Sequence, residues 1–160
     1  TQRISLDIRL GESLFLHSTA TGKLFAAHDA KLGSYALASK LVKLTPNTIS
    51  TPKELEQEFA RIRSEGYACS DGESVEGIMG YAFPVHDGTG GLAAAIHVSV
   101  LSKRATKSHE KKLLTCARSC AEQIERQLGT FDQSAGRVVR SSASPAASVA
   151  GKRTIHRIAA

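Results

Sequence analysis

The sequence predicts an α+β domain in which an antiparallel sheet is covered by helices. Two neighbouring stretches, 77–86 and 91–100, have strand character and are joined by the turn-forming run His86, Asp87, Gly88, Thr89 and Gly90. Helical signals stand before and after them, each with its own cap or terminator. At 160 residues the chain can bury a core without disulfide or metal support.

The elements follow in chain order. Ile4, Leu6, Ile8 and Leu10 alternate with Ser5, Asp7 and Arg9, the period of a half-buried strand, and Gly11 ends it. A short extended piece, Leu14 to Leu16, leads to a helix over 19–28. A second short helix over 29–39 is weakened by Gly33 and Ser34. Thr51 is the next N-cap, with Pro52 at the first helical position and Glu54 completing a Thr-x-x-Glu capping box. Leu55, Phe59 and Ile62 recur on one face of that helix, and Gly66 stops it. Tyr67 to Ser70 reads as a strand, and Asp71, Gly72 and Glu73 as a loop. In the strand over 91–100, Ala94, Ile96, Val98 and Val100 share one apolar face, while the opposite face carries His97 and Ser99. The last helix starts at Thr106 or Ser108 and buries Leu113, Ala117, Cys120, Ile124 and Leu128, with Gly129 as its terminator.

Composition narrows the function. Aromatic content of 5% with no Trp disfavours a base-stacking surface. With no long apolar run and no signal-peptide pattern, the expectation is a cytoplasmic protein without a membrane partner. The net charge of +6 is uneven: Arg137, Arg140, Lys152, Arg153 and Arg157 stand against Asp132 alone beyond residue 129. Residues 130–160 are also rich in Ser, Ala and Gly, which reads as a flexible, basic, low-complexity tail. Cys69, Cys116 and Cys120 have no metal-type spacing, and core packing accounts for the last two.

The stretch HSTATGKLFAAH, 17–28, contains a Thr-Gly-Lys that suggests a phosphate-binding loop. Such a loop needs Gly at position 17 and Ser or Thr at 24, and the chain has His17 and Leu24. A milder reading survives. Ser18 or Thr19 caps a helix, leaving the amides near Ala20, Thr21 and Gly22 unpaired at a positive helix end that suits a carboxylate. The alternative is an ordinary capped helix in which Gly22 only permits close packing.

Taken together, GESLFLHSTATGKLFAA, TPNTISTPKELEQEFARIRSEGYA, GIMGYAFPVHDGTGGLAAAIHVSV and the terminal helix ending in QLG resemble the effector-binding domain of IclR-family transcription regulators, over residues 1–129. The resemblance implies a GAF-like fold, a central antiparallel sheet flanked by helices. It implies no enzyme activity and no cofactor, but a small organic acid effector, homo-oligomers (dimers or tetramers), and DNA bound through an upstream winged helix-turn-helix absent from this chain. The family's first helix and early strands would likewise precede Thr1. By position in the motifs, the effector would be held by the amides of Ala20 and Thr21, with Ser70, Gly80, His97 and Ser99 on the strands and loops. Three of these depart from the family's pattern. Ser70 stands where an acidic residue is frequent, although Asp71 is adjacent and a one-residue shift would restore it. Gly80 replaces a frequent Cys, and His97 one of two strand serines. A bare Gly80 opens the pocket floor and Ser70 removes repulsion, so a bulkier effector, such as an aromatic carboxylate, is expected. His97 would donate a hydrogen bond to it, or else lie in a polar core.

Three other functions find some support in the sequence. A redox enzyme would use Cys69 as nucleophile, but no cationic neighbour or resolving thiol is evident. A metal centre among His17, His28, His86, His97 and His109 lacks the short spacings that favour ligation, so no metal is expected. Non-specific nucleic-acid binding by residues 137–157 would be salt-sensitive.

Overall fold

The helix that starts at Thr51 forms as its capping box dictates. Thr51 Oγ1 accepts from the Glu54 amide and donates to Glu54 Oε2 at 2.7 Å, while Gly66 ends the helix in the left-handed region at φ 74°. The computed structural model describes residues 15–138. In chain order these form α1 (Ala20–His28), α2 (Ala30–Ala38), α3 (Pro52–Glu65), β1 (Ala68–Asp71), β2 (Ile78–His86), β3 (Leu92–Leu101), a 3-10 turn (Ser102–Arg104) and α4 (Lys107–Val138). The strand expected over 4–10 lies outside the described residues, as does the tail expected over 130–160 from residue 139 onward; up to Val138 that segment instead continues α4.

The three strands form one antiparallel sheet in the order β1-β2-β3. Its hairpin is organised by Asp87, whose carboxylate accepts from the Thr89 and Gly91 amides, with Gly90 supplying the positive φ of 83°. Pro84 falls past Ala82, the last β2 residue paired with β1, where a missing donor interrupts no ladder on that side.

Strand alternation splits the core in two. Ala68 and Ala82 face α1, α2 and α3, packing with Leu24, Leu55, Phe59 and Ile62. Tyr81, Phe83 and Val85 face the other way against Ala117 and Ala121 of α4, with Ile96, Val98 and Val100 alongside. α4 is further tied to β2 by Glu125, which accepts from the His86 amide at 2.8 Å and lies 2.7 Å from its Nδ1.

Three expectations are corrected. Of the extended piece expected over Leu14 to Leu16, Leu16 instead opens a turn that runs to Ser18, where Thr19 Oγ1 reaches back to the Phe15 carbonyl at 3.2 Å. α4 passes through Gly129 to Val138: a helical Gly costs only about 1 kcal/mol, and Gly129 is not at positive φ. The buried face of α4 also turns from Cys120 to Ala121. Cys116 and Cys120 are exposed, as is Leu128 at 39%, so core packing does not explain these cysteines.

Candidate functional site

Thr19 is the N-cap of α1. Its Oγ1 accepts from the Gly22 amide at 3.0 Å and its carbonyl from Lys23 at 2.9 Å. Of the three donors expected to be open, Gly22's is therefore satisfied. The Ala20 and Thr21 amides, at the first two helical positions, have no acceptor among the described residues. Gly22 has a packing role as well, since a β-carbon there would lie 2.7 Å from Leu16 Cα and 2.6 Å from the cap oxygen.

This helix start packs on the sheet face opposite α4. Register places Ser70, Gly80 and Ser99 in one row across all three strands, with His97 beside Ala82 on the same face. His97 bridges the two elements: Nδ1 lies 3.0 Å from Thr21 Oγ1 and Nε2 lies 2.8 Å from Ser99 Oγ. A neutral imidazole has one donor and one acceptor, and either hydroxyl can take the complementary part. His97 is exposed overall, and partial desolvation of its ring pushes its pKa below the ordinary value, which favours that neutral form.

Five of the six residues named from the sequence, Ala20, Thr21, Gly80, His97 and Ser99, thus surround one spot. Ser70 is in the row but committed, its buried hydroxyl donating to the Ser18 carbonyl at 2.8 Å. Asp71 pairs with Met79 and belongs to the other face, so a one-residue shift does not bring its carboxylate here. The floor is also not open as expected: a β-carbon on Gly80 would meet His97 Cε1 at 3.0 Å. The space freed at Gly80 is taken by the imidazole.

Sequence reasoning missed the partners of Lys23. Its side chain is fully buried, with Nζ 2.6 Å from Glu73 Oε1 and 3.0 Å from Glu58 Oε1. Glu58 also holds Arg61 at 2.7 and 2.9 Å, and Arg61 in turn meets Glu65. Burial pushes the Glu58 carboxyl up, but Arg61 and Lys23 outweigh it and hold it below the usual range; Glu73 is raised by burial despite Lys23. The signal was a lysine amid the apolar Leu24, Ala26 and Ala27, which demands an acidic partner inside. This cation points into the interior, so the Thr-Gly-Lys does not present it to a phosphate.

The rivals fare differently. Burial pushes the Cys69 thiol up to about 11, opposite to what a nucleophile requires. Among the described residues no three His, Cys, Asp or Glu side chains gather to hold a metal. His17, His28 and His86 are bonded to the Val42 carbonyl, the Leu24 carbonyl and Glu125 respectively. A hollow of about 690 Å³ runs beside Lys107, Lys111 and Arg118, but every residue lining it belongs to α4, which leaves its second side open. No described helix is long and apolar enough to cross a membrane.

A family profile described as bacterial transcriptional regulator IclR C-terminal matches residues 1–126. The glycerol operon regulatory protein of Streptomyces coelicolor is 32% identical over 124 residues, covering 76% of this chain and 49% of that protein. The DNA-binding transcriptional repressor YiaJ of Escherichia coli is also 32% identical over 124 residues, covering 75% of this chain and 44% of its own. Among solved structures, Thermotoga maritima IclR superposes with a TM-score of 0.71 at 34% identity, covering 80% of this chain and 53% of that one. The C-terminal domain of E. coli KdgR gives 0.65 at 28%, covering 71% of each. The chain spans about half the length of the curated relatives it matches.

Proposed function

The chain belongs to the IclR family of bacterial transcription regulators, as its C-terminal domain, and from that membership we propose that it senses a small organic carboxylate and relays binding to DNA through subunit arrangement. The observation that carries this reading is the pair of amides at Ala20 and Thr21 that have no acceptor among the described residues, set beside Ser99 and His97 on the same sheet face. A carboxylate there accepts two peptide N–H bonds at the positive end of α1, a combination that suits anions in general. Ser99 and the His97 imidazole supply further polar contacts, Gly80 the close approach of β2, and Ser70 the anchor that holds the helix entry in place. Lys23 contributes no charge to the effector, because Glu58 and Glu73 occupy it.

The proposed regulator works in the cytoplasm as a homo-oligomer, a dimer or tetramer, and meets its operator through an upstream reader. The effector shifts the subunit equilibrium only by its differential affinity for the two arrangements. An aromatic acid, the bulkier class expected from a bare Gly80, has first to displace the His97 ring.

The test separates the amide from the hydroxyl at Thr21. Thr21→Val keeps the N–H and removes the hydroxyl; Thr21→Pro removes both, and Pro is tolerated in the first helical turn. Calorimetric titration with a panel of monocarboxylates should find binding that Thr21→Pro weakens about tenfold or more beyond Thr21→Val, the worth of a hydrogen bond to a charged group. Equal affinities in the two variants would refute the helix-start site.

A further inference from the structure

Gly80 and His97 belong to different strands, yet they act as one unit. The β-carbon that any other residue would carry at position 80 would lie 3.0 Å from His97 Cε1 and 3.4 Å from its Nε2. The ring therefore rests over a backbone that only Gly leaves bare. It is also tied at both nitrogens, by Thr21 Oγ1 at 3.0 Å and Ser99 Oγ at 2.8 Å, so it cannot leave without breaking two hydrogen bonds. Ala20 closes the same spot, its Cβ 3.7 Å from the one Gly80 lacks.

We infer that His97 is the size-determining residue of this site, its imidazole covering Gly80 beside the helix start and so restricting the effector to a short-chain monocarboxylate without a ring. The inference rests on the sensor reading above and adds the size class. Shape explains the selection. Removing the imidazole uncovers Gly80 beside Ala20, where a benzoate ring can lie with its carboxylate still directed at the helix start. With the imidazole seated, a short acid reaches the amides while a planar ring meets occupied space.

Calorimetric titration of the full chain with pyruvate and with benzoate tests this. The wild type should prefer pyruvate by about tenfold or more, and His97→Ser should gain benzoate affinity by a similar factor, the scale on which pocket shape discriminates. If His97→Ser fails to fold, His97→Asn, smaller but still a donor and acceptor, gives the same reading. A wild type that takes benzoate as well as pyruvate, or a preference unchanged by His97→Ser and His97→Asn, would overturn the size rule while leaving the sensor intact. Binding of neither acid to any form would overturn the rule and count against the carboxylate sensor with it.

Discussion

His97 is exposed overall, yet partial desolvation of its ring holds its pKa below the ordinary 6.5 while the hydroxyls of Thr21 and Ser99 satisfy its neutral form. The unfolded chain binds the proton more readily, so between the folded and unfolded pKa values stability rises with pH. This contribution is present above the unfolded pKa and is lost as pH falls through the folded one. Urea midpoints measured at neutral and mildly acidic pH should therefore fall more in the wild type than in His97→Gln; identical pH slopes would contradict the assignment. The coupling to Gly80 has its own signature. Gly80→Ala should destabilise the wild type by about 1–3 kcal/mol through overpacking and be nearly neutral when His97 is Ser, giving a clear interaction energy in a double-mutant cycle. Residue types at this site were legible in the sequence, since a strand's period of two puts His97 and Ser99 on one face. That the imidazole fills the place above Gly80 was not, because cross-strand register is a long-range property that a single strand does not encode.

At the scale of elements, the caps were readable and the rotations less so. Thr51, Glu54 and Gly66 act within a turn of themselves, and α3 begins and ends where they place it. After Ala117, steps of three and four residues both keep near a helical period, which allows Cys120 or Ala121 to face the sheet, and only the packed partner decides. The outcome is testable with a thiol reagent. Cys116 and Cys120 should be modified quickly and Cys69 slowly, because it is half-buried with its thiol held up to about 11. A single fast thiol would mean that the face of α4 is wrongly assigned. α1 is fixed by a different device, the Lys23 cation locked between Glu58 of α3 and Glu73. Lys23→Met should cost about 3–5 kcal/mol, since it leaves a buried carboxylate without its cation. The cost is read from denaturant midpoints, and a loss below about 1 kcal/mol, typical of exposed pairs, would deny the buried character of the pair.

For the whole molecule, the sheet separates two tasks. One face carries α1 and the candidate effector site; the other carries α4, whose outward side presents Lys107, Lys111, Arg118 and Glu122 around a hollow open on its far side. The two-sided arrangement was legible from the pattern of strands and helices, but nothing in the local pattern says which subunits meet or where. If the effector works by biasing assembly, its binding energy must differ between the assembled and separated subunits, and the assembly equilibrium must then respond to it. Sedimentation velocity over a range of protein concentrations, with and without saturating pyruvate, measures that response. A tenfold difference in effector affinity between the two states moves the association constant by about tenfold at saturation, equivalent to about 1.4 kcal/mol. The shift should vanish in Thr21→Pro, where the acid no longer finds its amide. Pyruvate that binds calorimetrically yet leaves the sedimentation profile unchanged would separate sensing from assembly. The signal would then have to travel within one subunit, from the start of α1 through the Lys23 clamp to α3.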